Sequence, residues 1–187
     1  MYEIELKAHV EHYDDTKQTI NNFAHFLGEV AKKDTYWKLK KKSIQVRVRE
    51  EITNGKTEFL VTYKQKELRN TGDNNTVHFE VNQEREFHID DRDSFEAILI
   101  DSGFEISLKK EKFVTQWKYE NVLIELCTIA PLGNFLELEI LSELNDSQTT
   151  KKSIEKLKSI LLQANIPLEK IEHRYYSEML RCPPRHL

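Results

Sequence analysis

Apolar and polar positions alternate with a period of two at the start of the chain, and the alternation returns several times further on. In Glu3-Ile4-Glu5-Leu6-Lys7, the residues Glu3, Glu5 and Lys7 fall on one face of an extended strand and Ile4 and Leu6 on the other. Val46-Arg47-Val48-Arg49 places two arginines at the same spacing. Glu84-Arg85-Glu86-Phe87 and Leu136-Glu137-Leu138-Glu139-Ile140 each place two acids, and Lys110-Glu111-Lys112 places two lysines. One such strand is ordinary, because any antiparallel strand with one wet face has this pattern. Repeated along the chain with the apolar face kept, it predicts a sheet with one greasy face and one face densely charged with both signs. A closed sheet with its charges inside has that form.

The remaining pattern supplies about eight strands and three or four helices. The first strand runs over about 2–10. Asp14 or Asp15 then offers a helix cap, with Ile20, Phe23, Phe26 and Leu27 at helical spacing and Gly28 as the stop. Asp34-Thr35-Tyr36-Trp37 opens a second strand, Asn54-Gly55 signals a hairpin, and Lys64 lies on the return strand over 59–66. A polar loop spans 69–76, and 77–89 returns as a strand carrying Glu84 and Glu86. Asp90, Asp91 and Asp93 begin a helix that Gly103 ends. Residues 104–119 read as strand, tight turn and strand, and 122–128 and 136–140 as two more strands joined through Pro131-Leu132-Gly133. An amphipathic helix follows over 149–164, and a short element over 174–180. Strands come in hairpin order without β-α-β alternation, which predicts an α+β fold: an antiparallel, closed β-barrel with helices packed outside. Small barrels normally fill their interiors with apolar side chains, so inward charge is the anomaly.

Composition fits one domain over residues 1–187, since a chain of this length, 39% hydrophobic, can bury a core without dividing. The charged fraction of 32% is high, yet the net charge is only -4. The excess is balanced, whereas nucleic-acid binding needs a basic surplus gathered on one face. Cys127 and Cys182 are too few for a disulfide framework or a zinc site. No apolar leader and no run long enough to span a membrane is evident, so the expected location is the cytoplasm. A homodimer is among the assemblies open to it.

Charges of both signs on an inward face suit a triphosphate and a metal. Lys7, Arg47, Arg49, Lys64, Lys110 and Lys112 could cradle the anion, the arginines through bidentate contacts. Carboxylates cannot bind phosphate directly, but they bind Mg²⁺ or Mn²⁺, which bridges acid and phosphate oxygen. The scattered histidines and cysteines form no nucleophile set, so a mechanism by positioning and charge stabilisation is expected.

The E-x-E-x-K opening, the R-x-R strand, the lysine of Val61-Thr62-Tyr63-Lys64, the K-x-K and the closing Leu132-Gly133-Asn134-Phe135-Leu136-Glu137-Leu138-Glu139 together resemble the CYTH superfamily, the triphosphate tunnel metalloenzymes. These include class IV adenylyl cyclases, thiamine triphosphatases and inorganic tripolyphosphatases. The resemblance implies that Glu3, Glu5, Glu137 and Glu139 bind metal, with Glu84, Glu86 and Glu125 as further candidates. It implies that the six basic residues bind the triphosphate, and that Glu5, Lys7, Glu137 and Glu139 carry the chemistry. Lys112 stands where the family more often has arginine, and Tyr175 where it has serine. At Cys127 the family usually has aspartate; Glu125, two residues earlier on the same face, either replaces it or the site has one ligand fewer.

The short chain and its Asp34-Thr35-Tyr36-Trp37 strand look most like the class IV cyclases, which convert ATP to cyclic AMP and pyrophosphate, with Tyr36 or Trp37 flanking the base. A triphosphatase is the alternative within the family. A non-catalytic polyphosphate- or nucleotide-binding module and a purely structural interaction domain are the alternatives outside it.

Overall fold

A computed structural model describes residues 2–39, 45–67, 80–143 and 146–181, with the side chains of 64–67 and 80–84 outside that description. The strands are β1 (Tyr2–Val10), β2 (His25–Leu39), β3 (Gln45–Thr53), β4 (Lys56–Glu67), β5 (Glu80–Ile89), β6 (Phe104–Tyr119), β7 (Val122–Ile129) and β8 (Gly133–Ser142). The helices are α1 (Tyr13–Asn21), α2 (Arg92–Asp101), α3 (Ser147–Gln163) and α4 (Tyr176–Arg181). All pairings are antiparallel, in the order β1-β5-β4-β3-β2-β6-β7-β8, with β1 also paired to β8. The antiparallel sheet with outer helices is therefore as expected. Its closure is uneven: β1 meets β8 along its whole length but β5 only from Tyr2 to Glu5.

The apolar face of the sheet looks outward and is covered by helices. Ile154, Leu157, Ile160 and Leu161 of α3 pack in one cluster with Ile4 and Leu6 of β1 and Leu136 and Leu138 of β8. Asp146 caps α3 by accepting from the backbone N–H groups of Gln148 and Thr149. On the other side Leu99 of α2 joins Trp37, Val48 and Val61. Asp91 caps α2 through the Ser94 N–H, and Gly103 follows it at φ +85°, a conformation that favours glycine. The Asn54-Gly55 turn has positive φ at both residues, as a tight hairpin requires.

Several expectations need correction. Neither Asp14 nor Asp15 caps α1: His12 holds the cap position without a side-chain bond, and the two aspartates lie in the first turn, where they favour the helix dipole. The helix ends at Asn21, so Phe26 and Leu27 belong to β2, where both are half exposed. Gly28 stops no helix; it sits at φ +149° where the β2–β6 register shifts. Residues 104–119 form one unbroken strand rather than two joined by a turn. Trp37 is buried in the outer cluster with Val48, Val61 and Leu99, on the face away from the inward charges.

Because α3 owes its place to apolar packing, Leu157→Ala should cost about 2–5 kcal/mol of stability in urea unfolding. The half-exposed Leu162 of the same helix provides the control, and Leu162→Ala should stay within about 0.5 kcal/mol.

Candidate functional site

Strand register sets charged residues side by side on the inner face. Lys7 of β1 pairs with Glu137 of β8, Glu5 with Glu139, and Glu137 with Glu125 of β7. Across β2, Lys32 faces Lys112 and Asp34 faces Lys110 on β6, while Asp34 faces Arg49 and Tyr36 faces Arg47 on β3. Thr62 of β4 lies between Arg47 and Glu86. These columns surround a cavity of about 560 Å³.

Of the expected bases, Lys7, Arg47, Arg49, Lys110 and Lys112 line the cavity; of the expected acids, Glu3, Glu5, Glu86, Glu125, Glu137 and Glu139 do so. The side chains of Lys64 and Glu84 lie outside the described residues, and their backbones pair with each other across β4 and β5. Sequence reasoning passed over Lys32, Asp34, Thr62 and Gln116 as site residues. Period two would have found Lys32, Asp34 and Tyr36 together, but the intervening Lys33, paired with Glu50 on the outside, makes the segment read as a solvated charge run.

Two ionic groups organise the interior. Asp34 accepts from Arg49 Nε at 2.7 Å and from its Nη2 at 3.1 Å, and Lys110 Nζ lies 3.1 Å away. Burial alone would raise the Asp34 pKa, but Arg49 and Lys110 outweigh it and hold the carboxyl well below its ordinary range. In the second group, Lys32 donates to Glu125 at 2.5 Å, and Lys112 to Glu125 at 2.9 Å and to Glu137 at 2.6 Å. Burial would raise Glu125 as well; Lys112 and Lys32 overrule it and keep the acid well below the usual range.

One end of the cavity is apolar. Val30, Val114, Cys127, Ile129 and Phe135 continue the charged columns and cluster with Tyr176 and Met179 of α4. Lys7 and Lys110 place their ammonium groups 4.4 and 4.9 Å from the centre of the Tyr176 ring, within cation–π reach. Cys127 shares a face with Glu125 but belongs to this apolar end, its Sγ 3.7 Å from the Tyr176 hydroxyl. Burial, with the nearby Glu137 charge, pushes the thiol up to about 12.

The donor set suits a hard cation. Glu5 and Glu139 stand directly opposite one another with Glu3 next along the same face, so one wall offers carboxylate oxygens set acid against acid. Among the described residues no three acidic, histidine or cysteine side chains are already gathered as metal ligands. The wall therefore fits an ion completed by oxygens of a bound ligand.

A family model described as the CYTH domain matches residues 1–176. The chain belongs to the CYTH family. That family uses divalent metals and binds triphosphate substrates. Among solved structures, the PH1819 protein of Pyrococcus horikoshii OT3 superposes with a TM-score of 0.78 at 27% identity, over 96% of this chain and 98% of that one. A candidate adenylate cyclase of Vibrio parahaemolyticus gives 0.77 at 18% identity, over 97% and 98%. A candidate adenylyl cyclase of Hippeastrum, described as having a dominant triphosphatase activity, gives 0.66 at 13% identity, over 96% and 94%. The last two share the CYTH fold with this chain. No curated protein matches it. No helix among the described residues is long and apolar enough to cross a membrane.

Asp34→Asn should remove the partner of two buried cations and cost about 3 kcal/mol or more. Because the folded pKa of Asp34 is depressed, its contribution is present above the ordinary carboxylate range and lost as pH falls below it. Wild-type urea midpoints should therefore fall below about pH 4, and the Asp34→Asn midpoints should fall less over the same interval.

Proposed function

We propose that this CYTH protein is a metal-dependent enzyme that processes a triphosphate in its charged cavity, converting ATP to cyclic AMP and pyrophosphate. The observation that carries the triphosphate reading is the convergence of Lys7, Arg47, Arg49, Lys110 and Lys112 on the same cavity as an acidic wall. Arg47 adds a specific observation: its Nε is buried with no hydrogen-bond partner among the described residues, and an anionic oxygen would satisfy it. Glu3, Glu5 and Glu139 would hold Mg²⁺ or Mn²⁺. The ion, when bound, supplies charge neutralisation at phosphate oxygens.

The residues around it do the positioning. Asp34 fixes the Arg49 guanidinium in a two-point grip and anchors Lys110, so both cations are held in place before a ligand arrives. Arg47 is steadied by Thr62 at 2.8 Å, and Thr62 donates in turn to Glu86 at 2.7 Å. Cyclisation needs the ribose held so that its 3′ hydroxyl lies in line with the α-phosphate. A cavity of about 560 Å³ is within the range that encloses ligands of nucleotide size, and Tyr36 lines it beside Lys110, whose ammonium lies 5.8 Å from the ring. Hydrolysis of a triphosphate is the second reading, favoured by the dominant triphosphatase activity described for the structurally similar Hippeastrum protein.

Two experiments test this. Glu5→Gln and Glu139→Gln should each abolish turnover while circular dichroism shows the fold retained, and excess chelator should silence the wild type; turnover that survives the chelator rejects metal dependence. With ATP and Mg²⁺ or Mn²⁺, chromatography over several turnovers should show cyclic AMP and pyrophosphate in equal amounts. ADP with orthophosphate, and faster consumption of tripolyphosphate than of ATP, would assign the triphosphatase. Tight binding without turnover would assign a binding module.

A further inference from the structure

Lys32 and Lys112 stand directly opposite each other on β2 and β6, and both are buried. Like charges so placed repel, and the pair persists because Glu125 lies between them. Every oxygen of Glu125 is taken: Oε1 accepts from Lys32 at 2.5 Å and from Gln116 at 2.7 Å, and Oε2 accepts from Lys112 at 2.9 Å. Glu137 accepts the second bond from Lys112. Two ammonium groups thus balance two carboxylates.

Acids enough for two divalent ions line this cavity, and paired ions are a common arrangement in phosphate chemistry. A divalent ion entering at Glu125 would have to break these bonds and sit against two ammonium groups. Mg²⁺ also demands near-octahedral oxygen donors, and position 127, next along the face, supplies a thiol buried against Tyr176. One step further along β8, on the side toward β1, the Glu5–Glu139 pairing sets acid against acid.

Resting on the metal-dependent reading above, we infer that Lys32 is a built-in replacement for a second divalent ion. With Lys112 it neutralises Glu125 and Glu137, and the protein holds one ion only, on the wall of Glu3, Glu5 and Glu139. Lys32 is in this sense a positioning residue, since it keeps Glu125 turned toward Lys112.

The test is metal stoichiometry, measured by equilibrium dialysis with Mn²⁺ and the bis-methylene analogue of tripolyphosphate, which neither hydrolysis nor cyclisation cleaves. Wild type and Glu125→Gln should each retain one Mn²⁺ per chain at similar affinity, and Lys32→Gln should retain two. Two ions in the wild type, with one lost in Glu125→Gln, would overturn the inference and leave the proposed function standing. One ion in both the wild type and a folded Lys32→Gln would remove the role given to Lys32. No retained Mn²⁺ in any of the three would overturn the inference and the metal-dependent proposal together. Were Lys32→Gln not to fold, the wild-type and Glu125→Gln counts would still decide the number of ions and whether Glu125 holds one.

Discussion

Charges enclosed by a sheet must be compensated where they stand, because an ion taken from water costs several kcal/mol even after its surroundings relax. The interior of this protein meets that condition by register. Antiparallel pairing places Asp34 between Arg49 and Lys110, and Glu125 within reach of both Lys32 and Lys112, so each group has a counter-ion one or two strands away. A slip of one residue in any strand would turn its charges into the outer apolar layer. The outer clusters under α2 and α3 oppose that slip, and so the greasy face fixes the geometry of the charged one.

Much of this was legible in the chain, and what was hidden had physical causes. The charges of β1, β3 and β8 declare themselves because the residues between them are aliphatic, so the two faces differ sharply. β6 and the middle of β2 carry charge on both faces: Glu111 lies between Lys110 and Lys112, and Lys33 lies between Lys32 and Asp34. Alternation disappears from such segments, and a long strand imitates a turn. The start of β2 misleads differently. Ile20, Phe23, Phe26 and Leu27 have helical spacing, yet the helix stops at Asn21, and the register shift at Gly28 lets an irregular strand carry the last two.

The Glu125 group also shows where local sequence ceases to inform. Its partners come from two other strands, separated from it by 93 residues at Lys32 on β2, and by 13 at Lys112 and 9 at Gln116 on β6. Only the folded register brings them together. The resemblance to the CYTH family could mark Cys127 as a departure, but not that the thiol faces Tyr176 while Glu125 is committed to lysines.

The apolar end formed by Phe135, Cys127, Tyr176 and Met179 bears on traffic. An end wall of aromatic rings, a thiol and a thioether gives an anion almost nothing with which to replace its water, so it sets a depth limit: charged groups stop among the lysines and arginines, and only an uncharged part of a ligand gains by going further.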